Sequence, residues 1–472
     1  MEKIKLNEFF KDIYYTEGEK TIFKIFINGE WRKSSQSSNL HDVVSPATLE
    51  PLCSVQMSTV KDVDASIKSA YSSIDKYYDK IAVLNKTKDL IEKYKEDFIN
   101  DIMLESAKTR EMAEGEVKTT IDRLGLIDED LKRVKLWDKN LFGKDVKIVR
   151  EPIGVVACIS SFNYPLFSMA SKVIPALLGG NSVVAKPSMS DPVVSLMFVK
   201  VLQEAGVPPG VVNIITGSSS EIGDYLVKNN HVQMITLTGS TTTGKHIMSV
   251  CGIKRLHLEL GGKGNAIVLD DADISLATEK IIEGSLKYSG QRCDAISRVL
   301  VVEKAHRRLI KSLLSRLDEH IPDIVPLISE TASKNVMDLI NDAVENGAIL
   351  LKGGHSKKNF VEATLLDDVP LLARIAWEET FGPVISVIPV KDANEAISVA
   401  KESEFGLDSC IFGKKNVMKY AKDLNDGSVT INNYPSHGTG FYPFGGNKDS
   451  GVGREGVGYS VVEMTRLKTI KK

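Results

Sequence analysis

From Ile153 to Val250 the pattern of apolar positions alternates between short β-branched runs and segments of helix length. IGVVACI reads as a buried strand, and PLFSMASKVIPALLGG follows as a helix with Pro165 in its first turn and Gly179 at its end. NSVVAK is the next strand, after which Asp191-Pro192 opens a helix that stops at Gly206. VVNII, a helix near 219–229, VQMITLT and a helix from about 241 complete the series. Strand-helix repetition of this kind forces parallel pairing, with right-handed crossovers and helices on both faces of the sheet. Such sheets bind ligands at the carboxyl ends of their strands.

Upstream, Ser72 to about Ile127 reads as charged and mostly helical, interrupted near Lys86–Thr87 and Gly115. KLWDKNLFGKDVKIVRE alternates apolar and polar residues around a glycine, which predicts a β-hairpin outside the main sheet. A second α/β region runs from about Leu260 to Asn433, with strands expected at NAIVL, SRVLVVE, AILL, VISVIPV and SVTIN. At 472 residues the chain exceeds the roughly 250–300 that one core supports, so two or more domains are expected.

Charge narrows the partners. With 60 Lys+Arg against 62 Asp+Glu, nothing favours nucleic acid or an anionic membrane. No stretch reaches the ~18 apolar residues of a membrane span, and MEKIKLNEFFKDIYY has no secretory pattern. Five cysteines without a C-x-x-C pair offer neither a disulfide framework nor a thiolate metal site. A reducing cytoplasm fits, with one cysteine free for chemistry.

Four segments carry candidate chemistry. In LHLELGGK, Leu256, Leu258 and Leu260 alternate with His257 and Glu259, so a strand buries the leucines and presents Glu259 on the other face. Taken alone, Glu259 reads rather as a solvated strand carboxylate. In SLKYSGQRCDAISRVLVV, Cys293 falls in a polar turn beside Arg292, a setting that favours a thiolate; an ordinary loop thiol is the alternative. SSFNYP ends the first strand of the parallel set, where the Asn163 amide can stabilise an oxyanion or simply form a turn. Finally Lys186-Pro187-Ser188, Gly217 to Gly223, and Thr238-Gly239-Ser240 with Gly244 bring hydroxyls, glycines and a cation to one sheet edge, suited to phosphates. G-x-G-x-x-G is absent.

Together these segments resemble the aldehyde dehydrogenase superfamily from about Phe26 to Thr469, in the order FNYP, KPS, TGS, LELGGK, GQRC, EETFGPV and PFGG-x-K-x-SG-x-GRE. The resemblance implies a Rossmann-type parallel-sheet cofactor domain (1–133 and 151–258), an α/β catalytic domain (259–440), and a small β oligomerisation element with the C-terminal tail (134–150 and 441–472). It implies that Cys293 attacks an aldehyde carbon while the Asn163 amide and the Cys293 N–H hold the oxyanion. One such donor is worth about 2.7–4 kcal/mol in the transition state. Hydride transfer to a nicotinamide leaves a thioester, and Glu259 activates the water that hydrolyses it. Glu379 and Phe381 position the nicotinamide ribose and ring, while Lys186, Ser188, Gly217, Ser240 and Gly244 hold the rest of the cofactor.

GQRCDA, AKPSMSDP and NNYPSHGTGFYPFGG look like archaeal non-phosphorylating glyceraldehyde-3-phosphate dehydrogenases. That implies oxidation of glyceraldehyde 3-phosphate to 3-phosphoglycerate, the alternative being an unphosphorylated short aldehyde such as glyceraldehyde, lactaldehyde or succinic semialdehyde. Arg292 offers a cation for a substrate phosphate and Tyr164 a hydrogen bond. Where bacterial and plant members supply further arginines, this chain has Thr119, with Arg123 a helical turn on, and His437. Many NAD-preferring members carry an acid three residues after the strand-end lysine, and Met189 stands there, so NADP is expected to be preferred with NAD possible. The superfamily also implies a homodimer or homotetramer.

Overall fold

The computed structural model describes residues 4–134, 146–319 and 324–471. The alternation after Ile153 becomes the centre of an eight-stranded sheet, in the order Gly451–Val452, Arg255–Glu259, Val232–Thr238, Val155–Ile159, Ser182–Lys186, Val212–Ile214, Ile25–Ile27, Glu30–Arg32. The strands from Arg255–Glu259 to Val212–Ile214 run parallel, and both sheet edges are completed by antiparallel pairs. Helices cover both faces, so the strands are apolar on both sides: Val155, Val156, Ala157 and Cys158 are all fully buried. Register aligns the carboxyl ends, with Ile159 opposite Lys186 and Thr238 opposite Glu259. The turns that follow these strands therefore emerge along one edge.

The connecting helices stop where their sequences stop them. Pro165–Leu178 begins on Pro165 and is capped at Gly179. Val193–Ala205 ends at Gly206, whose φ of +110° suits a residue without a side chain.

A second, seven-stranded sheet has the order Ile349–Lys352, Thr364–Asp367, Val384–Val390, Ile296–Val302, Gly264–Val268, Asp408–Phe412, Ser428–Ile431, parallel except at its first pair. Only Leu260–Lys263 separates Arg255–Glu259, the last parallel strand of the first sheet, from Gly264–Val268 in the second. Glu259 thus stands at the junction of the two.

Several expectations change. The strands Asp408–Phe412 and Thr364–Asp367 were not foreseen, nor was a four-stranded sheet of Tyr14–Glu17, Lys20–Phe23, Pro51–Gln56 and Leu40–Val44. The helices Lys80–Lys93 and Arg110–Leu124 run unbroken through Lys86–Thr87 and Gly115. Thr87 turns its hydroxyl back onto Val83 O at 2.9 Å, so it does not compete with the helix. The breaks fall instead at Tyr94 and at Ala107, the latter in the left-handed region at φ +53°. Of the expected hairpin, residues 135–145 lie outside those described. Val146–Pro152 pairs with the distant Thr465–Lys471, in register from Pro152↔Thr465 to Val146↔Lys471. The C-terminal segment is no simple tail either, since Gly451–Val452 joins the first sheet. Among the described residues no helix is long and apolar enough to cross a membrane.

Candidate active site

A cavity of about 950 Å³ opens between the two sheets, and its wall includes Asn163, Tyr164, Thr238, Glu259, Arg292, Cys293, His437 and Glu455. Most are delivered by a strand end or by the loop after it, whereas Arg292 and Cys293 lie in the turn between the helix Ile274–Leu286 and the strand Ile296–Val302. Glu259 is the last residue of its strand and is only 3% exposed, which removes the solvated-carboxylate reading. Its Oε1 lies 3.1 Å from His257 Nε2, while Oε2 has no hydrogen-bond partner among the described residues. Burial, and then the nearby Glu455, push this carboxyl well above the usual range.

Asn163 follows the strand that ends at Ile159. Its Oδ1 accepts from Ser161 Oγ at 2.8 Å, which orients the amide so that Nδ2 donates to Gln291 O at 3.0 Å. That bond ties it to the turn carrying Cys293 and leaves the second N–H of the amide for another acceptor. The turn itself is held by Tyr288 and Ser289 in left-handed conformation, by Tyr288 Oη donating to Ser106 O at 3.0 Å, and by Ser289 Oγ bridging Val325. The five cysteines are all free, and Cys293 alone among them is not fully buried.

The surroundings of Cys293 favour a thiolate less than the sequence suggests. Burial, followed by Asp294 and Glu259, pushes the Cys293 thiol well above its ordinary value. Arg292 does not offset this, because it is turned away: Nη2 donates to Gly284 O at 3.1 Å, Nε lies 3.6 Å from Asp294, and the guanidinium sits over Tyr434.

The remaining wall mixes charged and polar groups with aromatic and aliphatic side chains. Tyr164 lies under the Lys108 ammonium, 4.1 Å from its ring centroid. His437 packs its ring against Phe444 and Phe167, and burial lowers its basicity. Arg123, by contrast, is absent from the wall. It is buried and committed to Asp130 through bonds of 2.7 and 3.1 Å, so it has no donor pair to offer a substrate. Thr119 does line the cavity.

Sequence reasoning overlooked several wall residues. Lys108 and Glu116 form a buried ion pair, and Glu116 Oε1 accepts from the N–H groups of Leu166 and Phe167 at the helix start after Tyr164. Glu455 is bonded to Lys172 Nζ at 2.8 Å; although burial raises its pKa, Lys172 brings it down to about 2. The GRE motif was the available signal for Glu455.

Along the same strand-end edge, Lys186 is buried, its Nζ has no acceptor among the described residues, and burial lowers its pKa to about 8. Ser188 Oγ accepts from Ser190 N and the Met189 sulfur accepts from Gly217 N at 3.1 Å, so a thioether stands at position 189, while the buried Asp191 faces Ser188. Ser240 caps the helix Thr241–Val250. A side chain at Gly244 would meet Leu260 Cδ1 at 2.5 Å, so this glycine lets the helix approach the sheet junction. Glu379 accepts from Gly262 N at 3.0 Å and is raised to about 7 by burial, and Phe381 meets Phe162 edge-on. An ammonium with no acceptor among the described residues and a capped helix start fit the phosphates of a dinucleotide. One His/Asp group, His306 with Asp367 and Asp368, stands apart from the cavity wall, and His306 is already bonded to Asp367.

The aldehyde dehydrogenase family model matches residues 31–470. The NADP-dependent glyceraldehyde-3-phosphate dehydrogenase of Streptococcus equinus is 38% identical over 95% of this chain and 98% of its own length. The enzyme of the same name from Pisum sativum is 34% identical over 95% of each chain. Among solved structures, NADP-dependent glyceraldehyde-3-phosphate dehydrogenase from Bacillus halodurans C-125, complexed with NADP, superposes with a TM-score of 0.90 at 38% identity, covering 95% of this chain and 98% of that one.

Proposed function

The chain belongs to the aldehyde dehydrogenase family, and we propose that it oxidises glyceraldehyde 3-phosphate to 3-phosphoglycerate with NADP, NAD being the poorer cofactor. One observation carries the reading: Cys293, Asn163 and Glu259 share a single cavity whose wall also carries the cation of Arg292. The names of the relatives support the phosphorylated substrate and NADP.

In this scheme the Cys293 thiol gives up its proton and its sulfur bonds the aldehyde carbon. The carbonyl oxygen becomes an oxyanion, taking the free N–H of Asn163 and the backbone N–H of Cys293. Bound NADP supplies the hydride acceptor; Lys186 and Ser188 hold its adenosine end, Gly217, Ser240 and Gly244 border its path, and Glu379 and Phe381 position its reactive end. What remains on the sulfur is a thioester. Glu259 then takes a proton from a water whose oxygen bonds the thioester carbon, the carbon–sulfur bond breaks, and Cys293 is regenerated. Tyr164, Arg292 and His437 border the distal end of the substrate, with Arg292 meeting its phosphate. A reducing cytoplasm suits a mechanism built on a free thiol.

The same wall also carries Glu283 and Asp294, which favours a second reading in which the aldehyde is short and unphosphorylated. A panel of aldehydes with and without phosphate, assayed with both cofactors, separates the two. We expect kcat/KM to be largest for glyceraldehyde 3-phosphate with NADP, and Arg292→Ala to lose activity selectively on that substrate. Equal loss on every aldehyde favours the second reading.

A further inference from the structure

His257 has no part in the scheme above, yet it is fully buried and touches the proposed base. It lies two residues before Glu259 on the same strand, so both side chains project from one face. Its Nε2 is 3.1 Å from Glu259 Oε1, and its Nδ1 is 3.3 Å from Thr236 Oγ1 on the neighbouring strand, in register with it. The other carboxylate oxygen is the one left without a partner, on a residue that lines the cavity with Cys293.

Two glycines show how closely the chain is built around this pair. A Cβ at Gly445 would fall 2.8 Å from Glu259 Oε1, and one at Gly453 would fall 2.7 Å from His257 Cδ2. Both belong to the PFGG-x-K-x-SG-x-GRE segment. Backbone therefore closes over the pair, and only a hydrogen bond can fix which oxygen points where.

We infer that His257 is a positioning residue for the hydrolytic half of the reaction: anchored on Thr236, it pins Oε1 of Glu259 and so presents Oε2 to the thioester on Cys293. This inference rests on the proposed role of Glu259. In the competent state Glu259 is a carboxylate, so Nε2–H donates to Oε1 and Nδ1 accepts from the Thr236 hydroxyl. The charged groups facing the pair are Glu455, Lys172, Glu463 and Arg454. Burial lowers the basicity of His257 itself, in keeping with a neutral imidazole donor. Without that donor the buried anion is harder to form, and Glu259 serves as base only at higher pH.

The test is p-nitrophenyl acetate turnover, which needs neither a nicotinamide nor a phosphate. Release of p-nitrophenolate in the first turnover reports acylation of the thiol, and the steady rate reports hydrolysis of the acetyl thioester. For His257→Leu we expect the first-turnover rate to stay within about twofold, the steady rate to fall about tenfold, and its acid limb to move about one unit to higher pH. His257→Gln, whose amide can still reach Oε1, should recover most of the steady rate, whereas the shorter His257→Asn should behave as the leucine variant. If His257→Leu does not fold, the Gln and Asn pair decides. Equal falls in both phases, an unmoved acid limb, or Gln and Asn variants alike would overturn the proposal. A wild type that hydrolyses the ester but oxidises no phosphorylated aldehyde sinks the proposed substrate and leaves this result standing.

Discussion

Two buried cations near the cavity, Arg123 and Lys186, differ in whether they own a partner. Arg123 is fully engaged by Asp130. Breaking such a pair strands a buried carboxylate, typically at a cost of about 3–5 kcal/mol. Arg123→Ala should therefore lower Tm sharply while leaving the preference among aldehydes unchanged, as thermal unfolding and the aldehyde panel would show. A selective loss on phosphorylated substrates would return Arg123 to the site. Lys186 is buried with no partner among the described residues, and burial lowers its pKa to about 8. The charged ammonium is the form that attracts a phosphate, so the free protein loses that attraction as pH rises through about 8, well below the usual lysine range. NADP should bind more tightly at pH 7 than at pH 9 by calorimetry. Lys186→Met should bind weakly with little pH dependence over that interval.

Strand ends and the turns after them do most of the placing, and they were also the most legible elements. Parallel strands buried on both faces read as unbroken apolar runs, so the series after Ile153 stood out and brought Asn163, Lys186, Thr238 and Glu259 to one edge. Elements whose logic lies outside their own sequence did not stand out. Asp408–Phe412 begins with two polar residues that are buried only because Gly264–Val268 runs beside them, and Val146–Pro152 finds its partner at the far end of the chain. At the site, motif order located Cys293, whereas the state of its thiol depended on where Arg292 and Asp294 turn, which spacing does not encode. Gly262 links these levels. It lies in the short connection between the sheets, and a Cβ there would fall 2.5 Å from the carbonyl oxygen of Cys293. That oxygen is backbone and cannot swing aside, so Gly262→Ala must displace the nucleophile's turn. We expect kcat to fall at least tenfold with a loss of unfolding free energy of only about 1–3 kcal/mol, the usual cost of overpacking. Unchanged kcat would mean that the turn has slack.

At the scale of the whole molecule, the ribbon of Val146–Pro152 and Thr465–Lys471 is out of proportion to the rest. Two strands alone are marginal in water, and among the described residues this pair belongs to no larger sheet. Its C-terminal strand exposes Leu467 at 62% and Ile470 at 45%, an apolar surface that a solitary edge strand would normally avoid. A second copy of the chain offers the simplest cover, which agrees with the homodimer or homotetramer expected from the sequence. The ribbon also begins one residue after Met464, whose carbonyl accepts from Asn181 beside the first strand run of the eight-stranded sheet, so ribbon and sheet are mechanically linked. Light scattering on the eluted protein should therefore give at least twice the chain mass. Leu467→Asp combined with Ile470→Asp should shift it towards the monomer and lower Tm, while Cys293 remains open to alkylation. A wild type that stays monomeric at tens of micromolar would leave the ribbon without a purpose in assembly and would require some other partner to cover those side chains.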